Sequence, residues 1–339
     1  MSTPASTVLE PTFADNVVPV IDLTPYFHGD AAAKAALAKE VDRACRTIGF
    51  LVISGHGVPK ELLERTNRAT RAFFDLPMAV KQSYITSSPY HSRGYFGMET
   101  STLAATIGEE GLPDFREMFA VGQHQIDEAD PYFTSPGGQR SFEPNIYPSE
   151  VPEAQAAWDE YFDAMTELST ALMRIFALAL DLDEHFFDDK IDKHITNLTL
   201  SNYPDQEKPP GPNQLRAGPH TDYGSFTILK TEDKPGGLEV RAPDGHWEPV
   251  PIVPDAFIIN IGDLMARWTN DRWVSTMHRV VNPPRDVTSG TRRQSLIFFH
   301  QPNYDAVVEC LPSCVDEGAK YPVTTSGRHL WEKLEMMWT

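Results

Sequence analysis

Between Leu198 and His300 the chain is a succession of short alternating segments divided by turn residues, and this pattern constrains the fold most. The segments read LTLSNYP, FTILK, GGLEVRAPDGHWEPV, AFIINIGDLMARWTNDRWVSTMHRVV and SLIFFHQPN. Within them, APDG and WTNDRW are typical of hairpin turns. Many short strands at this spacing predict a β-sandwich or a jelly roll.

The flanking sequence has helical periodicity instead. Asp30 is a candidate N-cap for a helix that ends at Gly49, and a second helix stops before Pro77. A long apolar-periodic run follows Pro152, and SGRHLWEKLEMMW predicts a last amphipathic helix. We therefore expect an α+β fold with a mainly β core flanked by helices.

These patterns divide one interleaved globule into four regions. They are an N-terminal helical and loop region (17–150), a long support helix (151–197), a strand core (198–305) and a C-terminal helix that is a possible lid (306–339).

Three metal-binding side chains stand out in the strand core. His220 and Asp222 lie two residues apart where a strand begins, and His278 lies in a later strand-like segment. His-x-Asp alone occurs in many loops, so the prediction depends on the assembly of all three. Two imidazoles and one carboxylate are the ligand set of a non-haem Fe(II) facial triad, which leaves coordination positions open.

Arg293 and Ser295 follow on the next predicted strand, in RRQSLIFF. A fixed guanidinium beside a hydroxyl is suited to binding a carboxylate in a bidentate way. The pair is therefore a candidate anion clamp near the metal.

Charge and cysteine content exclude some classes of partner. The chain has 29 basic and 48 acidic residues, a formal charge of -19, which argues against nucleic acid and anionic membranes as partners. No segment approaches the roughly 18 apolar residues of a membrane helix, and the N-terminus does not resemble a signal peptide. Three cysteines make a disulfide framework improbable. We expect a cytoplasmic protein with a small-molecule partner.

Several motifs together resemble a known family. HTDYGSFTIL, GGLEV, INIGDLMARWTND, HRVVNPP, RQS and FFHQPNYDA, with VPVIDLTPYF and GFLVISGHGVP, are similar to Fe(II)/2-oxoglutarate-dependent dioxygenases of the isopenicillin N synthase-like superfamily. The likeness covers residues 17 to 305. It implies a distorted double-stranded β-helix (jelly roll) that uses Fe(II), 2-oxoglutarate and O2, with ascorbate as an accessory reductant. It also implies release of succinate and CO2.

The resemblance carries over to individual residues. His220, Asp222 and His278 match the iron ligands. Arg293 and Ser295 match the pair that binds the distal carboxylate of 2-oxoglutarate, and Tyr203 matches a tyrosine that often hydrogen-bonds the same cosubstrate. In one departure, Ser201 stands where many plant members have asparagine. The polar contacts of the cosubstrate can therefore differ here.

Alternative functions remain open at this point. Hydroxylation of a small metabolite is the expected reaction, but desaturation, ring closure and ethylene formation start from the same chemistry. An oxidase like isopenicillin N synthase uses the same triad without 2-oxoglutarate, its Arg-x-Ser pair binding the substrate carboxylate instead. A metal-free jelly roll acting as a sensor or scaffold is a third class. Succinate formation and metal content would discriminate among them.

Some residues near these motifs have no assigned role. The region 84–125 and the C-terminal helix are the expected pocket walls. The unassigned side chains are Asp114, Arg116 and Glu117, which suit a buried polar network or a substrate contact, and Tyr223, Phe298, Phe299 and His300, which suit the pocket or the core.

Overall fold

The computed structural model describes residues 17–338 except 89, 91, 101, 104–111, 206–210, 212–213, 235, 285, 288 and 316–317. Its strands are β1 (Val20–Asp22), β2 (Phe50–Ser54), β3 (Gly94–Phe96), β4 (Glu117–Gly122), β5 (Asn197–Tyr203), β6 (Ala217–His220), β7 (Phe226–Thr231), β8 (Leu238–Arg241), β9 (Trp247–Pro249), β10 (Phe257–Ile261), β11 (His278–Val280), β12 (Arg293–His300), β13 (Val307–Val308) and β14 (Thr324–Thr325). Its α-helices are α1 (Thr24–His28), α2 (Ala31–Thr47), α3 (Lys60–Phe74), α4 (Met78–Gln82), α5 (Pro131–Thr134), α6 (Pro136–Ser141), α7 (Ala154–Ala179), α8 (Asp188–Ile191), α9 (Asp263–Trp268) and α10 (Ser326–Trp338).

Two sheets form the core. The major sheet has the strand order β1-β2-β10-β7-β12-β5-β4-β3, and the minor sheet has the order β6-β11-β8-β9. A buried apolar cluster contains residues of both, including Val52 and Ile258 from the major sheet and Leu238 and Val240 from the minor sheet. The two sheets therefore pack face to face, and strands from region 17–150 extend the major sheet.

Alternation along the strands of the major sheet separates its two faces. In β12, Leu296 and Phe298 join the larger apolar cluster, which also contains residues of α2, α3 and α7. Their neighbours Ser295 and Ile297 line a cavity between the sheets. Because successive side chains of a strand point to opposite faces, one sequence supplies both the helix-facing core and the site.

The predicted helices are present. Asp30 caps α2 by accepting a hydrogen bond from the backbone N–H of Ala33 at 2.9 Å. Gly49 follows α2 with φ of 64°, a left-handed conformation that favours glycine. The long run after Pro152 forms α7, whose Trp158, Phe162 and Phe176 are fully buried, each contributing about 1.5–3 kcal/mol by burial.

The two hairpin predictions have different outcomes. APDG connects β8 and β9, which pair antiparallel with Arg241 opposite Trp247, so that prediction is confirmed. The prediction for WTNDRW is wrong, because the preceding residues form helix α9 rather than a strand. Asn270 and Asp271 have φ of 55° and 62°, and this left-handed turn ends the helix and leads toward β11.

Within the residues that the structure describes, no helix combines the length and apolar character needed to span a membrane.

Candidate active site

Three side chains converge between the two sheets. His220 is the last residue of β6, Asp222 follows it, and His278 begins β11 directly opposite His220 in the antiparallel pair. The Oδ1 atom of Asp222 lies 3.8 Å from His220 Nε2 and 3.7 Å from His278 Nε2. The candidate ligand atoms all lie within 4.8 Å of one another, a spacing that one metal ion can bridge.

Backbone carbonyls orient both imidazoles. His220 Nδ1 lies 2.8 Å from the Gly218 carbonyl oxygen, and His278 Nδ1 lies 3.1 Å from that of Thr276. An Nδ1–H that donates to a carbonyl leaves Nε2 with its lone pair facing Asp222. Burial, with the neighbouring His278, lowers the pKa of His220 to about 3, so this imidazole is neutral and available as a ligand near pH 7.

The carboxylate of Asp222 is held by its other oxygen. Oδ2 accepts hydrogen bonds from Thr227 Oγ1 at 2.5 Å and from Asn260 Nδ2 at 2.7 Å. Thr227 and Asn260 are direct partners across β7 and β10, so the major sheet positions both donors. Burial opposes ionisation of Asp222, but the two imidazoles and these two donors outweigh it, and the pKa lies below its ordinary value. Oδ1 remains turned toward the histidines.

Thr227→Val is expected to weaken Fe(II) binding by roughly tenfold, since outer hydrogen bonds of this kind orient a ligating carboxylate. The two side chains have the same shape, so the loss reports the hydroxyl. Anaerobic titration of the apoprotein with Fe(II) measures it. Thr70→Val, which removes a buried hydroxyl of α3, is the matched control. Equal Fe(II) affinity in Thr227→Val and the control would contradict this role of Thr227.

A second cluster contains the predicted clamp. Arg293 is 1% exposed and lies opposite Tyr203 across β12 and β5, with its guanidinium carbon 5.0 Å from the tyrosine ring centroid. One Nη donates to the Gly236 carbonyl oxygen at 3.3 Å, and Nε has no partner among the described residues. Ser295 Oγ donates to Thr231 Oγ1 at 3.0 Å. A buried guanidinium with spare donors beside hydroxyls is suited to a carboxylate.

Arg216 belongs to this cluster and was not singled out from the sequence. It is fully buried, lies 5.7 Å from the ring centroid of Tyr203 and donates to the Thr291 carbonyl oxygen at 2.7 Å. Burial, together with the like charge of Arg293, lowers the pKa of Arg216 to about 10. Two buried cations around one tyrosine raise the local affinity for an anion. Arg216 lies in the segment LRAGP, which has no strand or helix periodicity that would have indicated a buried position.

Two cavities meet at the triad. A cavity of about 50 Å³ joins the triad to the clamp, and a cavity of about 200 Å³ opens on the other side. Both are lined by His220, Asp222, Arg116 and Phe299. The larger one has mainly apolar walls, formed by Phe96, Leu103, Met118, Ala120, Ile195, Leu330 and Leu334. A ligand in each cavity would reach the same metal position.

Helix α10 lies at the outer side of the 200 Å³ cavity, where Leu330 and Leu334 line it. The same two leucines line a neighbouring cavity of about 240 Å³, which also shares Ser92, Ile195 and Asn197 with the first. Two partly exposed ion pairs contact its later turns: Arg140 lies 2.9 Å from Glu335, and Lys333 lies 2.8 Å from Asp263. Such pairs contribute only about 0–1 kcal/mol each.

The residues left open by the sequence separate into two groups. Phe298 and His300 lie on the helix-facing side, where His300 Nδ1 lies 2.6 Å from Ser225 Oγ. Glu117 is also structural: Lys81 and Tyr95 both donate to its Oε2, at 2.7 and 2.6 Å. Tyr223, Phe299 and Arg116 line the larger cavity. Part of the predicted wall, residues 89, 91, 101 and 104–111, lies outside the described residues.

A jelly roll with two histidines and one carboxylate between its sheets is the arrangement that non-haem Fe(II) oxygenases use. Comparison with known proteins agrees. The profile described as 2OG-Fe(II) oxygenase superfamily matches residues 195–302, and the one described as non-haem dioxygenase in morphine synthesis N-terminal matches residues 18–150.

Individual relatives match over nearly the whole chain. The 2-oxoglutarate-Fe(II) type oxidoreductase hxnY of Emericella nidulans is 35% identical, with 92% of this chain and 88% of the relative covered. Validamycin A dioxygenase of Streptomyces hygroscopicus subsp. limoneus is 32% identical, with 95% and 87% covered. Full-length Neurospora crassa T7H, solved with alpha-KG and thymine, superposes with a TM-score of 0.82 at 29% identity, covering 94% of this chain and 96% of that one.

The chain therefore belongs to the 2OG-Fe(II) oxygenase superfamily. The predicted family, the double-stranded β-helix fold and the requirement for Fe(II), 2-oxoglutarate and O2 are confirmed. The protein is an Fe(II)- and 2-oxoglutarate-dependent oxygenase that acts on a small molecule. The alternative of an oxidase that does not use 2-oxoglutarate is not favoured.

Proposed function

We propose that this oxygenase hydroxylates a C–H bond of a small molecule bound in the 200 Å³ cavity. In this proposal His220, Asp222 and His278 hold Fe(II). Arg293 and Ser295 bind the distal carboxylate of 2-oxoglutarate, and Tyr203 hydrogen-bonds the same cosubstrate. The observation that carries it is the position of the triad between two cavities, one lined by the clamp and one with mainly apolar walls.

The balance of the reaction is simple. With Fe(II) bound, the metal supplies the chemistry by which O2, 2-oxoglutarate and the substrate C–H are converted to hydroxylated product, succinate and CO2. The protein residues bind and orient. Thr227 and Asn260 keep one oxygen of Asp222 turned toward the metal position, and Arg293 fixes the far end of the cosubstrate. Leu330 and Leu334 exclude water from the substrate side.

Arg293→Lys is expected to raise the apparent KM for 2-oxoglutarate by roughly tenfold or more, because lysine keeps the charge but loses the planar fork. Steady-state succinate formation at varied 2-oxoglutarate measures it. Arg292→Lys is a matched control, since the neighbouring guanidinium points away and donates to Asn202 Oδ1 at 2.9 Å. If the apparent KM for 2-oxoglutarate is unchanged in Arg293→Lys, Arg293 does not bind this cosubstrate.

The names of the relatives indicate different substrates. Examples are Validamycin A dioxygenase and a homoarginine-6-hydroxylase of Arabidopsis thaliana, the latter 31% identical to this chain. Their substrates therefore do not identify the one used here. A metabolite screen scored by succinate release, with Fe(II), ascorbate and O2, tests the proposed function. Compounds that stimulate succinate release and gain a hydroxyl group support it. Absence of any 2-oxoglutarate-dependent succinate formation contradicts it.

We also propose a cytoplasmic location. Its support is that Cys45, Cys310 and Cys314 are all free thiols, two of them buried. Unpaired thiols are typical of proteins kept in a reducing compartment.

A further inference from the structure

Arg116 is a buried cation at the junction of the two cavities. It immediately precedes β4 and lines the 200 Å³ cavity together with Met118 and Ala120, which follow it at the two-residue spacing of one strand face. It also lines the 50 Å³ cavity, although the residue is only 8% exposed. Its charge lies close enough to oppose protonation of His220.

The guanidinium of Arg116 has spare donors. Its closest carboxylate contact is between Nη2 and Asp114 Oδ2 at 3.7 Å, which is too long for a hydrogen bond. The oxygens of Asp114 instead accept from the backbone N–H groups of Gly218 at 2.8 Å and Leu103 at 3.2 Å. Arg116 Nε is buried with no hydrogen-bond partner among the described residues. A guanidinium left in this state is costly unless a ligand completes it.

The other charged groups nearby are already committed. Asp222 is the carboxylate that lines both cavities in the described part of the chain, and it faces the two histidines. Glu117, the next residue after Arg116, points to the opposite face and is paired with Lys81. Among the described residues, Asp114 is the carboxylate paired with Arg116, at 3.7 Å and without a hydrogen bond. The guanidinium therefore retains donors for a second anion, and the 200 Å³ cavity is the space that can hold one.

We propose that the substrate carries a carboxylate and that Arg116 binds it, with the apolar body of the molecule against Phe96, Met118 and Phe299. The inference rests on the oxygenase function proposed above and adds the chemical class of its substrate. A planar fork binding a carboxylate fixes both position and orientation, which places one C–H bond toward the metal.

Paired acids and amides test this class without knowledge of the natural substrate. The probes are benzoate with benzamide, phenylacetate with phenylacetamide, and 3-phenylpropionate with 3-phenylpropanamide. Calorimetric titration uses the anaerobic full-length enzyme loaded with Fe(II) and 2-oxoglutarate. We expect at least one acid to bind about tenfold or more tightly than its amide, because a charge-assisted bidentate contact is lost in the amide.

Variants identify the responsible residue. Arg116→Gln should abolish the difference between acid and amide, and Arg116→Lys should retain part of it. Arg65→Gln is the matched control, because it removes the same charge from an exposed ion pair with Glu160, away from both cavities, and should leave the acid-to-amide ratio as in the wild type. The proposal is wrong if no acid is preferred, if the preference survives in Arg116→Gln, or if that variant only weakens 2-oxoglutarate binding.

Succinate formation measured in parallel keeps the two proposals separate. If the enzyme turns over 2-oxoglutarate but does not prefer acids, the proposed role of Arg116 is wrong and the oxygenase function stands. If it binds acids through Arg116 but forms no succinate, the proposed oxygenase function is wrong and the role of Arg116 stands.

Discussion

His220→Ala is expected to lower turnover by about a thousandfold or more and to remove tightly bound iron, because it would delete one of the three proposed protein ligands. His278→Ala and Asp222→Ala should do the same. The folded state should persist in the histidine variants, since both imidazoles lie at the cavity surface and donate only to backbone carbonyls. Iron content per chain and succinate formation are the two measurements.

Controls separate loss of metal from loss of fold. His246→Ala removes an exposed imidazole from the β8–β9 hairpin and should retain both iron and activity. Asp222→Glu should lose less than Asp222→Ala, because a longer carboxylate can still reach the metal. Thermal unfolding of each variant shows whether the chain remains folded. Near-wild-type iron content in any alanine variant of the triad would mean that the residue is not a ligand.

Deletion of residues 326–339 is expected to leave iron binding intact but to uncouple the reaction. 2-Oxoglutarate would still be consumed, whereas hydroxylated product per succinate would fall. The reason is that the triad and the clamp lie on the two sheets, whereas Leu330 and Leu334 of α10 line the proposed substrate cavity and would close it to water. Quantifying succinate and product together, with a compound found by the screen, measures this coupling.

A point variant makes the same test without truncation. Leu330→Ala with Leu334→Ala opens the inner face of α10, and we expect the coupling to fall as in the deletion. Arg328→Ala changes the outer face of the same helix, where its exposed pair with Glu332 spans 2.8 Å, and should stay coupled. If the deletion variant keeps the wild-type ratio of product to succinate, α10 only packs against the core and is not a lid.

Many of the side chains that face the cavities could be predicted from the sequence, because side chains alternate between the two faces of a strand. Thr199 and Tyr203 in β5, and Arg293, Ser295 and Phe299 in β12, share one face of the major sheet, so the motif Arg-x-Ser already indicates which side chains face the site. The same rule explains why Phe298 and His300 lie on the opposite face.

Other parts depend on contacts that sequence spacing does not show. The triad and the clamp lie on different sheets rather than on adjacent strands, so their approach requires the packing of one sheet on the other. Arg216 and Asn260 become partners of the site only through that packing. The helix at GDLMARW was missed because its six residues are too few for a clear period, and the following Asn270 and Asp271 resemble a hairpin turn.

Oxygen isotope labelling of succinate shows whether the enzyme couples oxidation of the substrate to 2-oxoglutarate. The wild-type enzyme is supplied with Fe(II), unlabelled 2-oxoglutarate, 18O2 and the most active compound of the screen. We expect succinate to appear in equal amount to hydroxylated product and to carry one oxygen atom from O2, while the product carries the other. Oxidation of the compound without labelled succinate would contradict this expectation, because the enzyme would then not use 2-oxoglutarate as the reductant of O2.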